Sequence, residues 1–115
     1  MYLARFSYSF KPIDRERAMA LLAREVAAAR QQGMEARLLV PLTRPAGGPA
    51  LQYELVMNSL DDFEAFRERG VGGEDGTRAW LRDLSSLLVE PPAVELLRIA
   101  EEPEDSQAWQ EEQPI

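Results

Sequence analysis

The sequence predicts a single α+β domain, a four-stranded antiparallel sheet carrying both helical crossovers on one face, with elements in the order β-α-β-β-α-β. Three observations predict it. Segments of strict period-two alternation sit at residues 2–10, 35–42 and 51–57, and a fourth apolar segment at 94–99 closes the order. Two stretches with helical spacing fall between the first and second strands and between the third and fourth. Glycine and proline punctuate nearly every junction, in a chain of 115 residues that suits one core and is too short for two.

The first strand places Tyr2, Ala4, Phe6, Tyr8 and Phe10 on one face and Leu3, Arg5, Ser7 and Ser9 on the other. Lys11-Pro12-Ile13 breaks the alternation, and Asp14 is the expected N-cap of the next segment. There Ala18, Leu21, Leu22, Val26 and Ala29 recur at helical spacing until Gly33, which supplies a C-terminal stop.

Residues 35–42 alternate again, Ala36, Leu38, Val40 and Leu42 opposing Glu35, Arg37 and Leu39. A Gly/Pro-rich connection with Pro45, Gly47, Gly48 and Pro49 leads to Leu51, Tyr53, Leu55 and Met57, which alternate with Gln52, Glu54, Val56 and Asn58. Two strands around such a loop make a hairpin.

Ser59-Leu60-Asp61-Asp62 has the form of a capping box with aspartate in the glutamate position, so a helix is expected to start there, carrying Phe63 and Phe66. Gly70, Gly72, Gly73 and Gly76 interrupt it, each costing about 1 kcal/mol against alanine in a helix interior. Helical spacing resumes with Trp80, Leu81, Leu84, Leu87 and Leu88, capped by Asp75 or Thr77, giving one broken helix or two short ones. Pro91 and Pro92 end it before the last strand. The expected domain covers residues 1–100, and 101–115 form an acidic tail whose isolated Trp109 and Ile115 suit either a docking motif or a solvated extension.

Charge is unevenly placed. The chain carries −7 overall, but residues 101–115 hold six acidic residues and no basic one, leaving the first hundred at −1. Neither part has the basic footprint of a phosphate-backbone or anionic-lipid binder, so no nucleic-acid or membrane partner is expected. No apolar run is long enough to cross a bilayer and no signal-peptide pattern opens the chain, so the expected location is cytoplasmic. Histidine and cysteine are absent, which removes the commonest acid-base residue, the commonest metal ligand and the thiol nucleophile. The acidic pairs lack the alternating ligands of a calcium loop, and the glycines around Gly72 follow a helix instead of opening one, so neither a metal site nor a nucleotide site is expected.

The four-strand pattern fits a ferredoxin-like sheet, with strand order 4-1-3-2. Its second face mixes Leu3, Leu39 and Val56 with Arg5, Arg37, Gln52 and Glu54, too apolar for a face left in water. With this mixture, the alternating strand 2–10, Leu51-Gln52-Tyr53-Glu54-Leu55 running into Asn58-Ser59-Leu60-Asp61-Asp62-Phe63, and Ala79-Trp80-Leu81 with Leu84, the chain resembles the dimeric α/β-barrel superfamily, most of all NIPSNAP-type domains. The resemblance implies two subunits pressing their sheets together into a barrel, hence a homodimer. Haem-binding relatives typically use a histidine ligand that this chain lacks, so no cofactor is expected. Cofactor-free monooxygenases of the antibiotic-biosynthesis type often place asparagine, tryptophan and histidine near the substrate. Asn58 and Trp80 are partial counterparts, and without the histidine that activity is not carried over. NIPSNAP-type domains lend no settled reaction.

Two constellations stand out. Arg5, Arg37, Glu54 and Glu95 share the second sheet face by parity, either as a charged pocket in which Glu54 is a candidate base or as cross-strand ion pairs on a dimer face. Tyr8, Tyr53, Trp80, Phe63 and Phe66, with Phe6, form either an ordinary core or a cavity between sheet and helices for a small apolar or aromatic ligand. Three functions follow as expectations: a small-molecule-binding or accessory domain; a cofactor-independent isomerase, cyclase or monooxygenase using Glu54 or a tyrosine; or a structural dimer without ligand.

Overall fold

The computed structural model describes residues 1–43, 48–69 and 73–100. Its elements are β1 (Tyr2–Tyr8), α1 (Arg15–Gln31), β2 (Glu35–Leu39), β3 (Leu51–Met57), α2 (Leu60–Arg69), α3 (Gly73–Ser85) and β4 (Ala93–Arg98). The strands form one antiparallel sheet in the order β2-β3-β1-β4, the expected order read from the other edge.

Where the sequence placed a helix boundary on backbone chemistry, the boundary holds. Gly33 takes φ +81°, its N–H reaches the Arg30 carbonyl and the Met34 N–H reaches that of Ala29, the paired bonds of a Schellman stop. Arg30 then donates from Nε to the Ala36 carbonyl at 2.9 Å, fastening the end of α1 to the start of β2. At the start of α2 the Asp62 N–H donates to Ser59 Oγ at 3.1 Å, half of the expected capping box.

Other boundaries move. A single 3-10 turn, Pro12–Asp14, precedes α1, and Asp14 stands at the N-cap position without a side-chain capping bond. β1 stops at Tyr8, and Phe10 forms only an isolated bridge with Leu88. β2 stops at Leu39, because Pro41 has no N–H for a ladder, and Leu42 is exposed. The second crossover is two helices. α3 starts at Gly73, so Asp75 and Thr77 lie inside it instead of capping it, and Gly76 is carried within the helix. It ends at Ser85, so Leu87 and Leu88 belong to the return toward β4 and not to the helix. Residues 44–47 of the expected Gly/Pro-rich connection, Gly70, Gly72 and the expected tail, including Trp109 and Ile115, lie outside the described residues.

The core lies between the sheet and α1. Ala18, Leu22, Val26 and Ala29 of α1 meet Ala4, Ala36, Leu51, Tyr53 and Leu55 of the sheet, all buried. The second crossover covers less. α2 touches β3, α3 packs on α1 and α2, and β4 pairs only with β1. Val94 and Leu96, whose parity directs them to the helix side, are therefore 54 % and 42 % exposed. The half-covered β1–β4 side leaves room between the layers.

Candidate functional site

The room is a cavity of about 280 Å³ between the sheet and α3. Its floor follows from register, since Val94, Phe6 and Tyr53 stand side by side on β4, β1 and β3. Phe6 meets the Tyr53 ring edge-on at 5.8 Å and 82°, and the Phe66 ring at 5.9 Å and 57°, so the aromatic wall is held by ring-to-ring packing. Tyr8 continues the floor, and Trp80, Leu81, Leu84 and Leu88 supply the roof. The Trp80 indole N–H donates to the Leu21 carbonyl of α1 at 2.8 Å, tying α3 to the first helix and fixing the ring over the cavity.

A carboxylate and two phenols are among the polar groups in this largely apolar lining. Glu25 of α1 is buried and lines the cavity with the two tyrosines. Burial pushes the Tyr8 phenol well above its ordinary value, and the negative charge of Glu25 raises it further. Tyr53 is raised for the same reasons in the same order, with Tyr8 adding to them. Both phenols are therefore neutral at any physiological pH. Among the described residues the buried Tyr53 hydroxyl has no hydrogen-bond partner, although buried polar groups are paired in the great majority of cases.

The expected aromatic set is mostly brought together. Tyr8, Tyr53, Trp80 and Phe66 line the cavity with Phe6. Phe63 does not. It is buried on α2 and faces a neighbouring depression with Phe6, Arg67, Val94 and Leu96. Asn58 is also apart from Trp80. It lines a depression at the far end of β3 with Met1, Met34, Met57 and Asp62. Glu25 escaped the sequence reading because it follows Arg24 and looks like an exposed helix charge. The available signal was its spacing, three residues after Leu22 and four before Ala29 on the apolar face.

The charged set lies on the opposite sheet face. Register aligns Arg37, Glu54, Arg5 and Glu95 in one row across β2, β3, β1 and β4, signs alternating. Glu54 takes Arg5 Nε at 2.6 Å on one oxygen and Arg37 Nε at 2.7 Å on the other. Its side chain is 1 % exposed, against 30 % for Arg5 and 63 % for Arg37. Burial alone would raise its carboxyl, but the hydrogen bonds and charges of the two arginines outweigh that and hold it below the usual carboxylate range. Glu95 stands opposite Arg5 and, among the described residues, forms no ion pair, because β4 is exposed along its length. A carboxylate engaged on both oxygens and held ionised is a weak proton acceptor, so the geometry argues against Glu54 as the base. The adjoining depression of about 570 Å³, lined by Leu3, Arg37, Glu54, Val56 and Ile99, opens on this second face, away from the aromatic cavity.

Among the described residues no cluster of acidic side chains is placed to hold a metal, and no helix is long and apolar enough to cross a membrane. No protein-family model matches the chain, and no curated protein sequence matches it. Solved structures do. One described as an antibiotic biosynthesis monooxygenase superposes with a TM-score of 0.67 at 14 % identity, over 88 % of this chain and 100 % of that one. An uncharacterized NIPSNAP domain protein from Burkholderia xenovorans gives 0.67 at 13 % identity, over 87 % and 95 %. A dimeric ferredoxin-like protein of unknown function from Thermobifida fusca gives 0.62 at 14 % identity, over 85 % and 90 %. At these identities the likeness is one of fold, and the fold is the ferredoxin-like α+β domain shared with NIPSNAP and antibiotic-biosynthesis-monooxygenase-like proteins.

Proposed function

We propose that this domain binds a small apolar or aromatic molecule in the cavity between the sheet and α3, as the subunit of a homodimer formed through the opposite sheet face. The cavity carries the reading: aromatic walls, a few convergent polar groups and a position between packed layers are what small-molecule sites have in common. Its volume, just under the roughly 300–1,000 Å³ of most ligand pockets, points to a ligand of one or two rings. The homodimer is supported by the mixed second face and by the fold's occurrence in a protein described as dimeric.

Val94 lines the mouth of the cavity and is largely exposed, so a larger side chain there fills the cavity without entering the core. Naphthalene titrated into the wild type is expected to shift the Trp80 indole resonance saturably, and Val94→Trp to weaken that binding by about tenfold or more, as loss of pocket volume requires. Equal binding by both proteins would place the ligand elsewhere.

A second reading, a cofactor-independent enzyme, is favoured by one observation, the buried Glu25 beside two phenols. A carboxylate in an apolar pocket is a suitable proton carrier, and it takes the role the sequence suggested for Glu54. Turnover of a bound molecule separates this reading from plain binding.

A further inference from the structure

The sheet face away from the helices carries a charge pattern that limits how a second copy can sit on it. Three rows of side chains cross the strands from β2 to β4. The middle row reads Arg37, Glu54, Arg5, Glu95, so its signs alternate and its two ends are opposite in charge. On one side of it stand Glu35, Val56, Leu3 and Leu97, and on the other Leu39, Gln52, Ser7 and Ala93. Glu54 and Arg5 are engaged within the subunit, but the ends of the row face outward. Arg37 keeps 63 % of its side chain exposed and has N–H donors beyond the Nε that Glu54 takes. Glu95, at the opposite edge, is exposed and forms no ion pair among the described residues.

A closed dimer presents the same surface from both subunits, so the direction of its two-fold axis decides which row meets which. With the axis along the strands, every row meets itself reversed end to end. Arg37 then faces the partner's Glu95, Glu54 the partner's Arg5, Val56 the partner's Leu3 and Leu39 the partner's Ala93, while the exposed Glu35 falls at the rim. With the axis across the strands, Arg37 falls on Arg37 and Glu95 on Glu95, and Leu3 and Val56 lie over Ser7 and Gln52. A diagonal axis lays one charged end of the row on Leu3 and Val56. Like charges facing each other across an interface, or a charge laid on apolar side chains, are strongly unfavourable. The first placement alone avoids both.

We propose that the second copy docks with the two-fold axis running along the strands, so that Glu95 of each subunit pairs with Arg37 of the other and the charged row fixes the orientation of the dimer. This rests on the sheet-face homodimer proposed above and adds its axis and the residues that select it.

The chain has no cysteine, so introduced thiols report neighbours without background. Facing sheets stand about 10 Å apart, too far for a disulfide and within reach of a short bismaleimide. The double variant Arg37→Cys with Glu95→Cys is expected to be cross-linked to twice the chain mass on a denaturing gel. Each single variant should stay at one chain mass, because like positions then lie three strand spacings, about 14 Å, apart across the sheet as well as a layer apart. Cross-linking of either single variant to itself refutes the axis and leaves the dimer standing. So does a double variant that fails to cross-link while wild type sediments as a dimer. A wild type that sediments at the single mass removes the dimer and the axis together. Should Arg37→Cys not fold, Leu39→Cys with Ala93→Cys reads the same axis from the next row. Glu95→Gln gives an independent sign: the dimer dissociation constant should rise about three- to tenfold, since each dimer loses two exposed ion pairs. An unchanged constant, or the lower one expected if Glu95 faces Glu95, refutes the pairing.

Discussion

Glu54→Ala is expected to destabilise the protein by about 2–3 kcal/mol, seen as a fall of roughly 10 °C in melting temperature. A fully buried ion pair broken on one side costs about 3–5 kcal/mol, and the lower figure applies because Arg37 is largely exposed and Arg5 partly so. The loss has two parts: both hydrogen bonds disappear, and two guanidinium groups that now share one carboxylate face each other uncompensated. Removing all three charges with Arg5→Leu, Glu54→Leu and Arg37→Leu together should restore most of the loss, since an ion-pair cluster replaced by apolar side chains is often neutral in stability. The pH dependence has a definite sign. The folded carboxyl titrates below its ordinary 4.5, so the triad's contribution is complete above about pH 4.5 and disappears as pH falls through the lower folded value. Wild type should therefore lose more stability than Glu54→Ala between about pH 5 and pH 2 in urea titrations. Parallel pH curves for the two proteins would show that Glu54 is not held by its arginines.

The same sheet face yields the second large effect. Glu35, Val56, Leu3 and Leu97 form the row beside the charged one, so three apolar side chains stand together across the sheet. If a second copy covers this row, Val56→Asp buries an unpaired carboxylate in the interface and sets it beside Glu35 of its own subunit. The dimer dissociation constant should rise by at least about 100-fold, corresponding to roughly 2.7 kcal/mol. Val56 is only partly buried within one subunit, so the fold should survive. Sedimentation equilibrium reads the result directly: wild type at twice the 13.0 kDa of the chain and Val56→Asp near the single mass. A wild type that stays at the single mass refutes the sheet-face dimer.

Much of this was legible in the sequence because strand parity is a strict rule. Alternation assigned Tyr8 and Tyr53 to one face and Arg5, Arg37 and Glu54 to the other, and the hydrogen-bonded register brings each set together. Helix ends were legible where backbone chemistry decides them, at Gly33 and Ser59. They were not where tertiary contact decides. Leu87 and Leu88 continue the helical spacing of Trp80, Leu81 and Leu84, yet the chain leaves the helix so that Leu88 can bridge Phe10. Val94 and Leu96 alternate like core residues, and only the packing of α2 and α3 leaves them uncovered. Glu25 carried the least signal, because a glutamate on an arginine-rich helix reads as solvent-facing until the neighbouring sheet shows what that face meets.

The functional account depends on which face of the sheet receives a ligand. Intermolecular nuclear Overhauser effects from bound naphthalene test it most directly. The account predicts contacts from the naphthalene protons to the rings of Phe6, Tyr8 and Trp80 and to the Leu84 methyl groups, the walls of the cavity. Contacts to Leu3, Val56 and Ile99 instead, on the opposite face, would contradict it.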